Sequence, residues 1–164
     1  SMSKQVSLQI GNGESLDFED EAFDGGYSQH VTMNIKNRKE FFFEAYRVLK
    51  KGTFFAFSEH GLGPKGNPIF PLPWADTSEM SFLLSPESTI SLLKEIGFYD
   101  IQIIETSEKY ISGYEKMINT KSKKENPILG IHVIGGSTMK QRSINSMQCI
   151  KEKRTLPFEI VCKK

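Results

Sequence analysis

The chain has 164 residues, with 21 basic and 20 acidic side chains and a formal net charge of +1. That is the length of one domain with its own core, without the charge bias that draws a protein to nucleic acid or anionic lipid. Its two cysteines and three scattered histidines have no ligand spacing, so no metal site is expected, and the cysteine usage fits a reducing, cytoplasmic setting. No apolar run approaches the ~20 residues that span a bilayer, and no secretory segment is visible, so no membrane partner is expected.

Ser1-Met2 reads as a cloning remnant before a start codon, or Met2 is internal to a longer gene. Val6, Leu8 and Ile10 alternate with polar residues and predict a short strand that stops at Gly11-Asn12-Gly13. Residues 15–23 are acidic (Asp17, Glu19, Asp20, Glu21) without helical period and read as loop; residues 24–28 follow as a short strand buried on both faces. Asn37 is the expected cap of a helix over residues 38–50. Its stripe is Phe41, Phe42, Ala45, Val48 and Leu49, with Lys50-Lys51 at the favourable end and Gly52 as the stop. Phe41-Phe42-Phe43 reads as core plus one partly exposed ring.

Residues 53–58 predict a central strand. Residues 61–73 hold Gly61, Gly63, Pro64, Gly66, Pro68, Pro71 and Pro73, the turn chemistry of a long excursion, and residues 61–84 form a lid candidate. Ser85 followed by Pro86 starts a helix that Gly97 ends. Residues 99–105 predict a strand, 108–119 and 139–151 helices, and 156–162 a last strand; residues 107–155 form a mainly helical region. The lysines among residues 121–124 read as a solvated face. The order of elements gives an α/β sheet of mixed direction in a single domain, 1–164.

Gly11-Asn12-Gly13-Glu14-Ser15-Leu16-Asp17-Phe18 with Phe23-Asp24-Gly25-Gly26-Tyr27-Ser28, then residues 43–52 and 53–58, resembles the second half of the Rossmann-like S-adenosylmethionine-dependent methyltransferases. The segment Phe70-Pro71-Leu72-Pro73-Trp74-Ala75 and the helical C-terminal region look closest to the type 11 enzymes related to sarcosine and dimethylglycine methyltransferases. The resemblance implies an incomplete methyltransferase sheet, from the third strand onward, with helices on its faces and extra C-terminal helices. It implies S-adenosylmethionine as cofactor, with Asn12, Gly13 and Leu16 at the adenine and Ser28, Gln29 and His30 at the methionine part. Glu59, His60 and Trp74 fall on the substrate side.

His30 and His60 are the catalytic candidates, because an imidazole titrates near neutrality. Each also reads as a plain strand-end or loop histidine, and His132 as structural or lining. Trp74 either holds a methylammonium group by cation–π attraction or anchors its loop by packing.

The family's first strand, glycine-rich loop, helix and acidic second strand have no counterpart in residues 1–5. Gly11-Asn12-Gly13 is a weak second candidate for that loop, since the pattern needs a helix directly after it and residues 14–23 have no helical period. The strand over residues 24–28 is therefore expected to expose an apolar edge. A homodimer or swapped dimer would cover it, or the third strand would pair directly with the fourth. The expected function is methyl transfer to a small molecule, with an amine as the candidate acceptor. The alternative is a non-catalytic methyltransferase remnant that serves as a binding or dimerisation module.

Overall fold

The computed structural model describes residues 5–119 and 136–164. Its strands are β1 (Gly26–Gln29), β2 (Phe54–Leu62), β3 (Tyr99–Glu105) and β4 (Thr155–Lys163), and its helices α1 (Arg38–Val48), α2 (Pro86–Ile96), α3 (Ser107–Asn119) and α4 (Met139–Lys151). The sheet order is β1-β2-β4-β3; β1 runs parallel to β2, and β4 is antiparallel to both β2 and β3. The mixed α/β architecture with helices on the sheet agrees with the expected fold, and four of the five expected strands are present among the described residues.

Alternation along β2 sorts the sheet into two faces. Phe55, Phe57 and Glu59 stand opposite Cys162, Ile160 and Phe158 of β4. Phe42, Ala45 and Leu49 from α1 and its exit, with Leu93 of α2, close over the five apolar members as the main core. Ala56, Ser58 and His60 face the other way, where α3 and α4 pack on each other and on β4. Among the described residues that second face is covered at one end: Tyr27 is 82% exposed, Phe54 54% and Val161 46%.

Element ends follow local chemistry. Ser85 Oγ accepts from Ser88 N at 3.2 Å, Pro86 opens α2, and Gly97 closes it at φ +119°, a backbone angle that disfavours a side chain. The acidic loop is stapled to α1: Arg47 donates to the carbonyls of Leu16 and Phe18 and to Glu44 and Asp20, while Leu16 N donates to Glu44.

Several expectations are corrected. Residues 6–10 form no strand; Leu8 and Ile10 are fully exposed, because among the described residues no neighbouring strand completes their backbone hydrogen bonds. They do not pair with β1, whose sole strand partner among the described residues is β2. β1 is an edge strand with Tyr27 outward, and is not buried on both faces. The first helix ends at Val48, where Leu49 turns to extended backbone, and Gly52 (φ +76°) serves the turn after it. Asn37 stands at the cap position but donates to Glu14 Oε2 at 3.2 Å instead of capping. β2 runs on to Leu62, so Glu59, His60 and Gly61 lie inside it and the excursion begins at Gly63. Phe42 is buried, Phe41 half-buried and Phe43 50% exposed. His132 and the lysines of residues 121–124 lie outside the described residues.

Candidate functional site

The chain leaves β1 through His30, which adopts φ +54°, and enters a short turn, Thr32–Asn34. His30 N donates to Ser58 O at 2.9 Å, so this exit is tied to β2. His60 projects from β2 on the same side, and the ring centroids of the two histidines are 5.7 Å apart. Tyr110 of α3 meets both: its hydroxyl is 2.7 Å from His30 Nε2, and its ring stands edge-on to His60 at 5.0 Å. Trp74 stacks on His60 at 4.7 Å and donates from Nε1 to Ser81 Oγ at 3.0 Å. Both histidines, Trp74 and Tyr110, with Met33, Tyr114, Met117 and Met139, line a cavity of about 550 Å³, and Lys109 is its charged member among the described residues. That size suits a small molecule.

Burial sets the protonation states. His60 is pushed down to about 3 by burial and by neighbouring His30. Burial also lowers His30, opposed by the charge of Glu159 on β4. Burial, Tyr114 and Glu159 push Tyr110 up to about 12, so its hydroxyl stays protonated. Tyr110 is then the donor and His30 Nε2 the acceptor, which assigns the His30 proton to Nδ1. His60 Nδ1 is buried without a partner among the described residues.

The sequence placed Glu59 beside His60, and the structure separates them. Glu59 points to the opposite face and is fully buried, with Arg38 Nη1 at 2.7 Å, Thr32 Oγ1 at 2.5 Å and Thr89 Oγ1 at 3.5 Å. Burial pushes its carboxyl above the usual carboxylate range, and Arg38 and the two threonine hydroxyls pull it back. Arg38 Nε also donates to Phe82 O, and Phe82 N to Met33 O. Glu59 therefore does not line the cavity; it holds Thr32, the neighbour of the lining residue Met33, from the opposite face.

The cofactor candidates divide. Gly13, Leu16 and Ser28 line a second cavity of about 260 Å³ along the open edge of β1. Ser28 Oγ is buried there without a partner among the described residues, and a Cβ at Gly13 would meet the Phe41 ring at 2.9 Å. Asn12 does not join them; its Oδ1 accepts from Glu14 N in an exposed turn. Gln29 is exposed, and His30 belongs to the larger cavity. Among the described residues no glycine-rich turn opens a helix beside β1. A groove of about 620 Å³ between residues 36–40 and 82–84 contains neither histidine nor tryptophan.

Tyr110, Tyr114 and the Arg38–Glu59 pair were missed by sequence reasoning. Tyr110 and Tyr114 are four apart on α3, and that spacing was the available signal.

Residues 1–57 match the family described as a methyltransferase domain. The bifunctional biotin biosynthesis protein BioHC of Teredinibacter turnerae is 36% identical over 101 residues, 58% of this chain and 17% of that protein. Phosphoethanolamine N-methyltransferase 2 of Haemonchus contortus, solved with S-adenosyl-L-methionine, superposes at TM-score 0.70 and 16% identity over 93% of this chain and 36% of its own. A sarcosine dimethylglycine methyltransferase candidate from Galdieria sulphuraria gives TM-score 0.78 at 16% identity over 99% and 61%. Geranyl diphosphate C-methyltransferase from Streptomyces coelicolor gives 0.70 at 14% over 94% and 51%. The chain thus spans about one sixth of the curated relative, and from about a third to three fifths of these structures.

Proposed function

We propose that this chain, which has the fold of these methyltransferases and a methyltransferase-domain match over residues 1–57, holds the acceptor cavity of an S-adenosylmethionine-dependent methyltransferase acting on a small molecule. One observation carries the reading. His30 and His60 leave the carboxyl-end halves of two adjacent parallel strands and meet Tyr110 in one cavity, the position where open α/β sheets bind ligands.

Gly13, Leu16 and Ser28 would hold one end of the cofactor, and Gln29 and His30 the strand-end side. The Ser28 Oγ left without a partner among the described residues fits that assignment. When bound, the cofactor supplies an activated methyl group. The chain's own residues orient the acceptor and exclude water, and proximity of this kind provides much of the rate. His30, held neutral by burial, accepts the acceptor's proton at Nε2 when that group displaces the Tyr110 hydroxyl. Trp74 and His60 form the flat wall against which the acceptor packs.

The two free, buried cysteines accord with a cytoplasmic setting. The open edge of β1 favours a second, compatible reading in which two copies associate there. Calorimetric titration with S-adenosylmethionine tests the main proposal. Saturable one-site binding, weakened by Ser28→Leu, is expected, and absence of heat at millimolar cofactor would overturn it.

A further inference from the structure

The cavity wall is aromatic and thioether-rich, and its polar atoms are few. Tyr110 Oη and His30 Nε2 satisfy each other at 2.7 Å. Trp74 Nε1 donates to Ser81 Oγ, and Tyr114 Oη accepts from Ser146 Oγ. The buried polar atom left without a partner among the described residues is His60 Nδ1, on a ring 3% exposed that forms part of the wall. A buried imidazole nitrogen left unpaired is costly, and a ligand group that completes it recovers that cost.

Charge narrows the ligand further. Among the described residues no carboxylate lines the cavity, and the charged lining residue is Lys109. Glu59, the nearest acid in sequence, is committed to Arg38 on the far face. Glu159 acts on His30 and Tyr110 through space but stands outside the wall. An ammonium entering the cavity would lose its hydration and face a like charge at Lys109. The Trp74 ring could return only a cation–π attraction, with one face already against His60, and such attraction is smaller than the desolvation of a cation. A hydroxyl, by contrast, both donates and accepts, so it matches either tautomer of His60 and either member of the Tyr110–His30 pair.

We infer that the cavity selects an uncharged, largely apolar acceptor bearing a hydroxyl, with that hydroxyl held between His60 Nδ1 and the Tyr110–His30 pair, and that it discriminates against alkylammonium acceptors. The inference rests on the reading of this cavity as the acceptor site.

Trp74, the one tryptophan of the chain, reports occupancy through its emission. The test is a titration of the 164-residue chain at neutral pH with cyclohexylmethanol and with its isostere cyclohexylmethylammonium. The alcohol is expected to bind saturably and at least tenfold more tightly than the ammonium. His60→Phe should weaken alcohol binding about tenfold and leave the ammonium unchanged. Tyr110→Phe should weaken the alcohol severalfold, and carries the test if the His60 variant does not fold. Equal or tighter ammonium binding, or alcohol affinity unmoved in the folded variants, overturns the inferred acceptor class alone. Absence of saturable binding by either probe overturns the acceptor-site reading and the inference together.

Discussion

His60 is held neutral at a position where it cannot gain a proton without exposing a charge to an apolar wall, and stability must register this. Its folded pKa of about 3 lies below the ordinary value of 6.5, so the unfolded chain binds the extra proton first and stability falls as pH drops from 6.5 toward 3. Urea unfolding at pH 7 and pH 5 should show a loss of about 2 kcal/mol from this group. His60→Phe should remove most of that loss. His30 adds in the same direction, carboxylates held low such as Glu44 and Asp100 add to it only as pH falls through the ordinary carboxylate range, and Glu59, held high by burial, acts in the opposite direction. On the opposite face, Glu59→Gln leaves Arg38 buried without its counter-charge, a change that costs about 3–5 kcal/mol. The double variant Arg38→Met with Glu59→Leu should regain most of it in the same unfolding assay. The separation of these neighbours was legible in principle: Phe55, Phe57 and Glu59 share one parity, and Ser58 and His60 the other. The reading instead ended the strand at Ser58, which hid the alternation from both residues.

At the level of elements, cues that act within a few residues were the readable ones. Ser85-Pro86 and Gly97 bound α2, and the phenylalanine stripe marks α1. Residues 6–10 carry the pattern of a strand but not the neighbour a strand needs, and pattern alone cannot supply one. The cavity was only half legible for a related reason. His30, His60 and Trp74 stand in the first half of the chain, but Tyr110 reaches them from α3, eighty residues beyond His30. Two glycines test the packing between elements. A Cβ at Gly61 of β2 would lie 2.5 Å from the Phe158 ring and 2.9 Å from Leu84 O, so Gly61→Ala should destabilise by about 1–3 kcal/mol. Gly113 in α3 has open space around its Cβ direction, and Gly113→Ala should stabilise by roughly 0.5–1 kcal/mol. Thermal melts of the two variants should move in opposite directions.

For the whole molecule, the sheet is the feature with consequences. One face is sealed by α1 and α2, whereas the other carries Tyr27, Phe54 and Val161 in the open, and the edge of β1 beside them lacks a strand among the described residues. The expected open edge is thus present, and an uncovered face accompanies it. If two copies associate there, light scattering should show a mass that rises with concentration in the micromolar range, and Tyr27→Lys should return it to one chain. A concentration-independent monomer would exclude that association. The central claim, that the strand ends of β1 and β2 form a cofactor-and-acceptor site, is tested most directly by mapping amide chemical shifts while S-adenosylhomocysteine is added. The account predicts saturable changes concentrated on Gly13, Leu16, Ser28, Gln29 and His30, continuing to His60. Changes confined to residues 36–40 and 82–84, or none at saturating ligand, would contradict it.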